Sequence, residues 1–268
     1  MNKKNIKEKI KNYWNRLPCN IKYSNAAPMS MKFFNEISKK RYFCQSHIPE
    51  FANFSKFKNK NVLEIGCGIG TDAHEFIKNE SNYYGIDLSK ESIEIAKKRA
   101  HIFGYNNKKA NFFVGDAENL SKIKELKEIK FDLIYSFGVL HHTPNIKKCF
   151  DNIYKIANFK TEIKIMLYAK NSYKNFLVEE KIGTMRYEAQ KGCPLLKKID
   201  NVDLKKILSN KFKILSKKQD FIFPYKVPEY KKHKYVKLKY FQYMPSSIFK
   251  LIEKKLGEHL LLSLKKLN

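Results

Sequence analysis

Three glycines at alternate positions, Gly66, Gly68 and Gly70, follow the apolar run Val62, Leu63, Ile65 and precede a helical pattern. Without a Cβ, glycine lets such a strand-to-helix turn bend sharply and lets a ligand come close to the backbone. Glu64 stands before the glycines and Cys67 between them. A GxGxxG dinucleotide fingerprint would need glycine at position 71, where Thr71 stands. The spacing is GxGxG, which argues against a dinucleotide. The run Tyr83-Tyr84-Gly85-Ile86-Asp87-Leu88-Ser89 reads as a second strand ending in an acid, and a carboxylate at that tip can accept both hydroxyls of a ribose. A third strand, Asn111 to Val114, ends in Gly115-Asp116-Ala117-Glu118. A fourth, Phe131 to Ser136, leads into Phe137-Gly138-Val139-Leu140-His141-His142-Thr143-Pro144. His141 and His142 therefore fall at the carboxyl end of a strand, where open α/β sheets bind ligands.

Helices must hold these strand ends in place. Ser89 can cap the helix in which Ile93, Ala96, Ala100 and Phe103 recur at helical spacing. Thr143 followed by Pro144 reads as a hydroxyl N-cap with proline at the first helical position, leading into Phe150, Ile153, Tyr154 and Ala157. Strand five is expected over Glu162 to Ala169, a helix over Asp203 to Leu208, strand six over Phe212 to Phe223, a further helix over Ser247 to Leu256 and a last strand over Gly257 to Leu264. Ahead of the first strand, Ile6, Ile10, Tyr13, Trp14 and Leu17 follow an amphipathic helical pattern, and a second helix is expected over 29–43, carrying Arg41 and Tyr42. The whole, 1–268, reads as one domain of class α/β. Residues 1–58 form helices, 59–169 a ligand-binding half, 170–200 and 224–246 substrate-side insertions, and 201–223 with 247–268 the C-terminal part of the sheet.

The net charge is +28, yet only four of the 54 basic residues are arginine: Arg16, Arg41, Arg99 and Arg186. Proteins that grip phosphate geometrically favour the guanidinium fork, whereas lysine is a point charge. A solvated lysine surface, attraction of an anionic small substrate, and nucleic-acid binding all remain open on charge alone. The tract Lys231-Lys232-His233-Lys234-Tyr235-Val236-Lys237-Leu238-Lys239-Tyr240-Phe241 interleaves cations with aromatics, as a base-stacking surface or a half-buried ribbon would. The five cysteines are scattered and never form CxxC, which argues against a zinc site or a disulfide framework and for a reducing cytoplasm. Neither a signal peptide nor a membrane span is expected.

The GxGxG turn resembles motif I of the class I S-adenosylmethionine (SAM) methyltransferases, and the acids at the next two strand ends stand where that family has them. The run 131–144 is similar to a bacterial subgroup with a GVLHHTP motif after strand four, as are Tyr13-Trp14-Asn15 with Pro18-Cys19, the Arg41-Tyr42 pair, and Met166-Leu167-Tyr168. Two departures stand out: Asn158-Phe159-Lys160-Thr161 replaces a common Pro-Gly-Gly, and Ala169-Lys170 replaces Asn-Arg. The resemblance implies a Rossmann-like, seven-stranded, mostly parallel sheet, with the last strand antiparallel between strands five and six, under an N-terminal helical lid. It implies SAM as cofactor, with S-adenosylhomocysteine as product and no metal. Gly66, Cys67, Gly68 and Gly70 would wrap the methionine part, with Glu64 at its amino group. Asp87 and Leu88 would meet the ribose, Asp116 and Ala117 the adenine, and the backbone at Ser136 and Phe137 would close the far side. Tyr13, Trp14, Arg41, Tyr42 and Tyr168 would face the site from the lid or the substrate side.

Methyl transfer from a sulfonium needs alignment and exclusion of water, and a base only where the acceptor holds its proton tightly. His141 and His142 are the candidates, and a helix pole at Pro144 would keep them neutral. A carboxylate or phosphoryl acceptor would need cations instead. The expected reaction is O-methylation of a small sugar, nucleotide-activated or other anionic metabolite. The alternatives are an RNA methyltransferase using 231–241 and a catalytically silent partner subunit. No Asn/Asp-Pro-Pro-Tyr/Phe motif follows strand four, which argues against DNA amino-methylation.

Overall fold

The computed structural model describes residues 3–106, 109–179 and 192–268. Three helices come first: α1 (Lys3–Arg16), α2 (Met31–Cys44) and α3 (His47–Ala52). Then β1 (Asn61–Ile65), α4 (Thr71–Lys78), β2 (Asn82–Asp87), α5 (Lys90–Ile102) and β3 (Ala110–Val114) alternate. They are followed by β4 (Leu133–Phe137), α6 (Ile146–Ile156) and β5 (Glu162–Tyr168). The rest is α7 (Tyr173–Glu179), α8 (Asn201–Leu208), β6 (Phe212–Asp220), α9 (Val227–Lys231), α10 (Lys239–Gln242), α11 (Ser246–Leu256) and β7 (His259–Lys266).

The seven strands form one sheet in the order β3-β2-β1-β4-β5-β7-β6. Strands β1 to β5 pair in parallel, and β7 runs antiparallel to both β5 and β6, as the resemblance implied. Helices cover both faces, so β4 is buried throughout and β5 everywhere but at its two ends. Side chains alternate across the sheet. Leu63, Ile134 and Ile163 pack on one face with Phe150 of α6 and Leu204 of α8. Val62, Tyr83, Leu133 and Tyr135 pack on the other with Phe51 of α3, Phe76 of α4 and Ile93 of α5. The edge strand β6 is guarded by Lys213, Lys217 and Lys218 and by a bulge between Ile214 and Ser216.

Several boundaries differ from expectation for local reasons. The helix after strand four does not begin at Thr143-Pro144. Thr143 Oγ1 donates to the Leu140 carbonyl and closes a 3₁₀ turn, and Asn145 is the N-cap, its side chain accepting from Lys148 N at 3.1 Å. Phe221, at φ 73°, ends β6 before Phe223, and β7 begins after Gly257, whose place for a Cβ is 2.3 Å from the Asp220 carbonyl oxygen. The six residues of α3, with Pro49 among them, are too few to show a period. Part of the 170–200 insertion lies outside the described residues. Its flanks include α7 and a bridge from Ala169 to Ile199.

The fold also buries imidazoles. His47 Nε2 lies 2.9 Å from His259 Nδ1, and His74 Nδ1 lies 2.9 Å from the Tyr105 hydroxyl. Burial, with a neighbouring arginine charge in each case, lowers both His47 and His74 to about 4. The fold therefore favours the neutral ring, while the unfolded chain takes up a proton near pH 6.5. Their contribution is complete above about pH 6.5 and is lost as pH falls toward 4, at up to about 1.4 kcal/mol per pH unit for each ring. Urea midpoints at pH 7.5, 6 and 5 should fall in that order, and a flat series would show that the rings titrate normally.

Candidate active site

β1 turns into the glycine loop, which β2 pins: the amides of Gly66 and Cys67 donate to the Ile86 carbonyl at 2.7 and 3.0 Å. Gly66 sits at φ 81°, and a Cβ there would lie 2.2 Å from Val139 Cγ2. Gly68, at φ 51°, would point a Cβ into open space. Gly70 does something else. It is the N-cap of α4, and its place for a Cβ meets Ala96 of α5 at 3.2 Å, so it serves helix packing and is not on the cavity wall.

A cavity opens above the ends of β1, β2 and β4, with Gly66, Cys67 and Gly68 on its floor. Glu64, Asp87 and Asp116 reach it from three strand ends, with Leu88 and Ala117 beside them. Glu64 is buried and accepts from the Tyr83 hydroxyl. Burial, and then the nearby charge of Asp72, push its carboxyl well above the usual range. Asp87 accepts from Gly68 N at 2.9 Å and Ser89 N at 2.8 Å, and burial raises it against those bonds. Asp116 accepts from Lys7 Nζ of α1 at 2.7 Å, from Asn119 at 2.8 Å and from Glu118 N at 2.9 Å. Burial would raise Asp116, but the Lys7 bond and the others outweigh it and leave it lowered.

The roof comes from the N-terminal segment. Lys7, Ile10, Trp14 and Arg41 line the cavity. Arg41 Nε and Nη2 hold the two oxygens of Asp72 at 3.1 and 2.8 Å, and the hydroxyls of Tyr42 and Tyr135 each donate to the same carboxylate at 3.0 Å. Burial opposes the Arg41 charge, and Asp72 more than restores it, so its pKa is raised. Tyr42 and the buried Tyr13 are not on the cavity wall: Tyr42 serves Asp72, and Tyr13 packs edge-on beneath Trp14 at 5.0 Å. Asp72 was not among the expected residues. Its one sequence signal is an acid in the first turn after the glycines.

The two histidines part company. His142 lines the cavity, and its Nδ1–H donates to the Leu195 carbonyl at 2.7 Å, since a carbonyl can only accept. The unprotonated Nε2 is left for a ligand, and among the described residues no protein atom bonds it. Burial lowers the His142 pKa, with the Leu195 bond opposing. The helix that follows starts at Ile146, and the amide of its cap Asn145 is taken by Glu118 Oε1 at 2.7 Å. His141 is wholly buried off the cavity wall, stacked on Tyr168 at 4.0 Å, with neither ring nitrogen hydrogen-bonded among the described residues. Burial holds it well below 6.5. Ser136 is buried too and donates to the Ile65 carbonyl, whereas Phe137 lies on the cavity wall under Arg41. Tyr168 faces a second cavity with Lys174, Cys193, Lys198 and Glu258. Cys193 Sγ lies 3.4 Å from His142 Nδ1, so His142 stands between the two cavities.

The residues fit a nucleoside that carries an ammonium. The open face of Gly68 admits a ligand to the backbone, Asp87 ends β2 beside it, and Glu64 is a buried carboxyl that a cation would ionise. A family described as a methyltransferase domain matches residues 56–216. Malonyl-acyl-carrier-protein O-methyltransferase 1 of Ilyobacter polytropus is 27% identical over 183 residues, covering 66% of this chain and 63% of that protein. The chain thus spans less than two thirds of the length of that relative. Ubiquinone biosynthesis O-methyltransferase of Pelagibacter ubique is 30% identical over 199 residues, 68% of this chain and 78% of that protein. The solved structure of magnesium protoporphyrin IX methyltransferase from Synechocystis with bound SAM has the same fold, with a TM-score of 0.58 at 13% identity, covering 98% of this chain and 97% of that one.

The Asp72 cluster is testable by itself. Asp72→Ala should lower stability by about 3–5 kcal/mol, because it leaves the Arg41 charge buried without its partner. Arg41→Met in the same chain should recover part of that loss. Additive effects of the two substitutions in urea unfolding would show that the pair is not coupled.

Proposed function

This chain belongs to the class I SAM-dependent methyltransferases, and we propose that it transfers the methyl group to an oxygen of a small anionic metabolite. Its cofactor, SAM, supplies when bound a methyl group already activated on a sulfonium. The residues that would hold it are the loop Gly66–Gly68, Glu64 at the amino group, Asp87 at the ribose, and Asp116 with Ala117 at the adenine. Arg41 keeps Nη1 clear of Asp72, so it can take the methionyl carboxylate. Trp14, Phe137 and the Lys7 contact to Asp116 exclude water, which is most of what this chemistry asks of a protein.

His142 is the group we assign to the acceptor. The Leu195 carbonyl fixes its tautomer, burial keeps the ring neutral at pH 7, and Nε2 can take the proton of a hydroxyl as the new C–O bond forms. This fixed tautomer between two cavities is the observation that carries the proposal. Among the described residues that line the second cavity, Lys174 and Lys198 stand against the single acid Glu258, which suits an anionic acceptor such as an acidic sugar or a nucleotide-activated metabolite. The two relatives named above are both O-methyltransferases. The RNA alternative is less well supported, because Phe241 of the basic tract is buried and Tyr235 packs on Phe43 and Tyr225. The subgroup carrying GVLHHTP and a place in the cytoplasm complete the proposal.

His142→Ala should lower kcat by ~10²–10⁴ while calorimetry shows SAM binding unchanged, at about −8 kcal/mol for micromolar affinity. The wild-type rate should fall on the acid side through a pKa below 6.5. Metabolite extracts incubated with the enzyme and SAM, screened for a mass gain of one methyl, identify the acceptor. A His142→Ala enzyme with wild-type turnover and a flat pH profile would mean that the acceptor arrives ionised. NAD binding in place of SAM would sink the assignment altogether.

A further inference from the structure

Outside the second cavity, three helices meet through aromatic contacts. Tyr173, at the start of α7, donates its hydroxyl to Tyr240 of α10 at 2.7 Å and packs edge-on against Phe241 at 5.6 Å. Phe241 packs in turn on Phe249 of α11 at 5.3 Å. These joined elements and the link between them leave large apolar side chains in water: Phe176 is 57% exposed, Tyr240 49%, Tyr243 80%, Ile248 46% and Leu251 55%. Single exposed apolar residues are ordinary, but five on adjoining elements form a patch. Helix α11 turns Phe249 and Ile252 inward and has no fully buried residue, while Lys250, Lys254 and Lys255 are exposed around Leu251. Helices α10 and α11 hold four lysines, Lys239, Lys250, Lys254 and Lys255, against the single acid Glu253, and no arginine.

We propose that this face, made of α7, α10 and α11, docks on the surface of an anionic lipid bilayer. Lysines are drawn to a negatively charged leaflet, tyrosine suits the headgroup depth, and the apolar tips of Ile248, Leu251 and Phe176 enter the acyl boundary. No helix among the described residues is long and apolar enough to cross a membrane, and the attachment proposed is interfacial. RNA would use the lysines and tyrosines but leave Ile248, Leu251 and Phe176 in water, and it would favour the arginine fork that this face lacks. A second copy of the chain would bring the same lysines face to face across a two-fold axis. Lys174 and Asn175 follow Tyr173 directly and line the second cavity, so docking would hold that cavity beside the headgroups.

The test is co-sedimentation of the purified full chain with vesicles of phosphatidylglycerol and phosphatidylcholine in equal parts, and with vesicles of phosphatidylcholine alone. Partition should be at least about ten-fold stronger with the anionic vesicles. Ile248→Asp with Leu251→Asp should reduce it by about ten-fold or more while SAM calorimetry stays as in the wild type, which shows that the variant is folded. Four results would overturn the proposal. These are no partition to anionic vesicles, partition unchanged in the double variant, tighter binding to a single-stranded RNA oligomer than to vesicles, or a dimer in light scattering that the double variant dissolves.

Discussion

A carboxylate placed where water cannot reach it must be met by partners of the right charge and geometry, and Asp72 sets this demand for the whole molecule. Its side chain is 1% exposed and stands in the first turn of α4, directly after the glycine loop. The partners come from two distant places: Arg41 and Tyr42 from α2, and Tyr135 from β4. Removing one leaves the others facing an unmatched group, so the arrangement holds as a unit. It fixes the lid helix against the loop, and the cavity lies in the space between them.

A second arginine works from the other side. Arg99 of α5 is 1% exposed and donates to Thr71 Oγ1, the Phe34 carbonyl and Ser38 Oγ at 3.1, 3.5 and 2.6 Å. Burial lowers its pKa to about 10. Two of the four arginines in a chain dominated by lysine thus flank the start of α4. Lysine could not replace them, because one ammonium cannot reach two or three fixed acceptors in a plane as a guanidinium does. Helix α1 is held differently. Lys7 pairs with Asp116 and Glu118 at 2.7 and 2.8 Å, its own side chain 28% exposed and that of Glu118 7%. The helix also buries Ile10 and Tyr13 and sets Trp14 edge-on to His142 at 5.5 Å.

The strand order and the cavity floor were legible because both depend on short-range pattern. Apolar runs ending in Gly66, Asp87, Asp116 and Phe137 report four strand ends directly, and the sheet that follows is the one expected. The roles of single residues within that pattern were less legible. Gly70 belongs to the glycine motif by spacing, but its backbone faces Ala96. Tyr13, Tyr42 and Ser136 neighbour the cavity in sequence yet point to Trp14, Asp72 and Ile65. Asp72 was missed because a lone acid in a first helical turn is ordinary, and only the folded chain brings Arg41 and Tyr135 to it.

His141 and His142 show where local reasoning ends. Side by side after one strand, they offer the same ring, the same exposure of sequence and the same nearby helix start. What separates them arrives from far along the chain. The segment 195–199 returns over this strand end, with Lys197 N donating to the His141 carbonyl, Leu195 accepting from His142 Nδ1 and Ile199 bridging to Ala169. That segment has no period that would announce a strand or helix, so its contact could not be foreseen. The return path turns one imidazole toward the cavity in a single tautomer and shuts the other against Tyr168. The chemical difference between two identical neighbours is thus set by backbone atoms more than fifty residues away, as the His142–Leu195 separation of 53 makes plain.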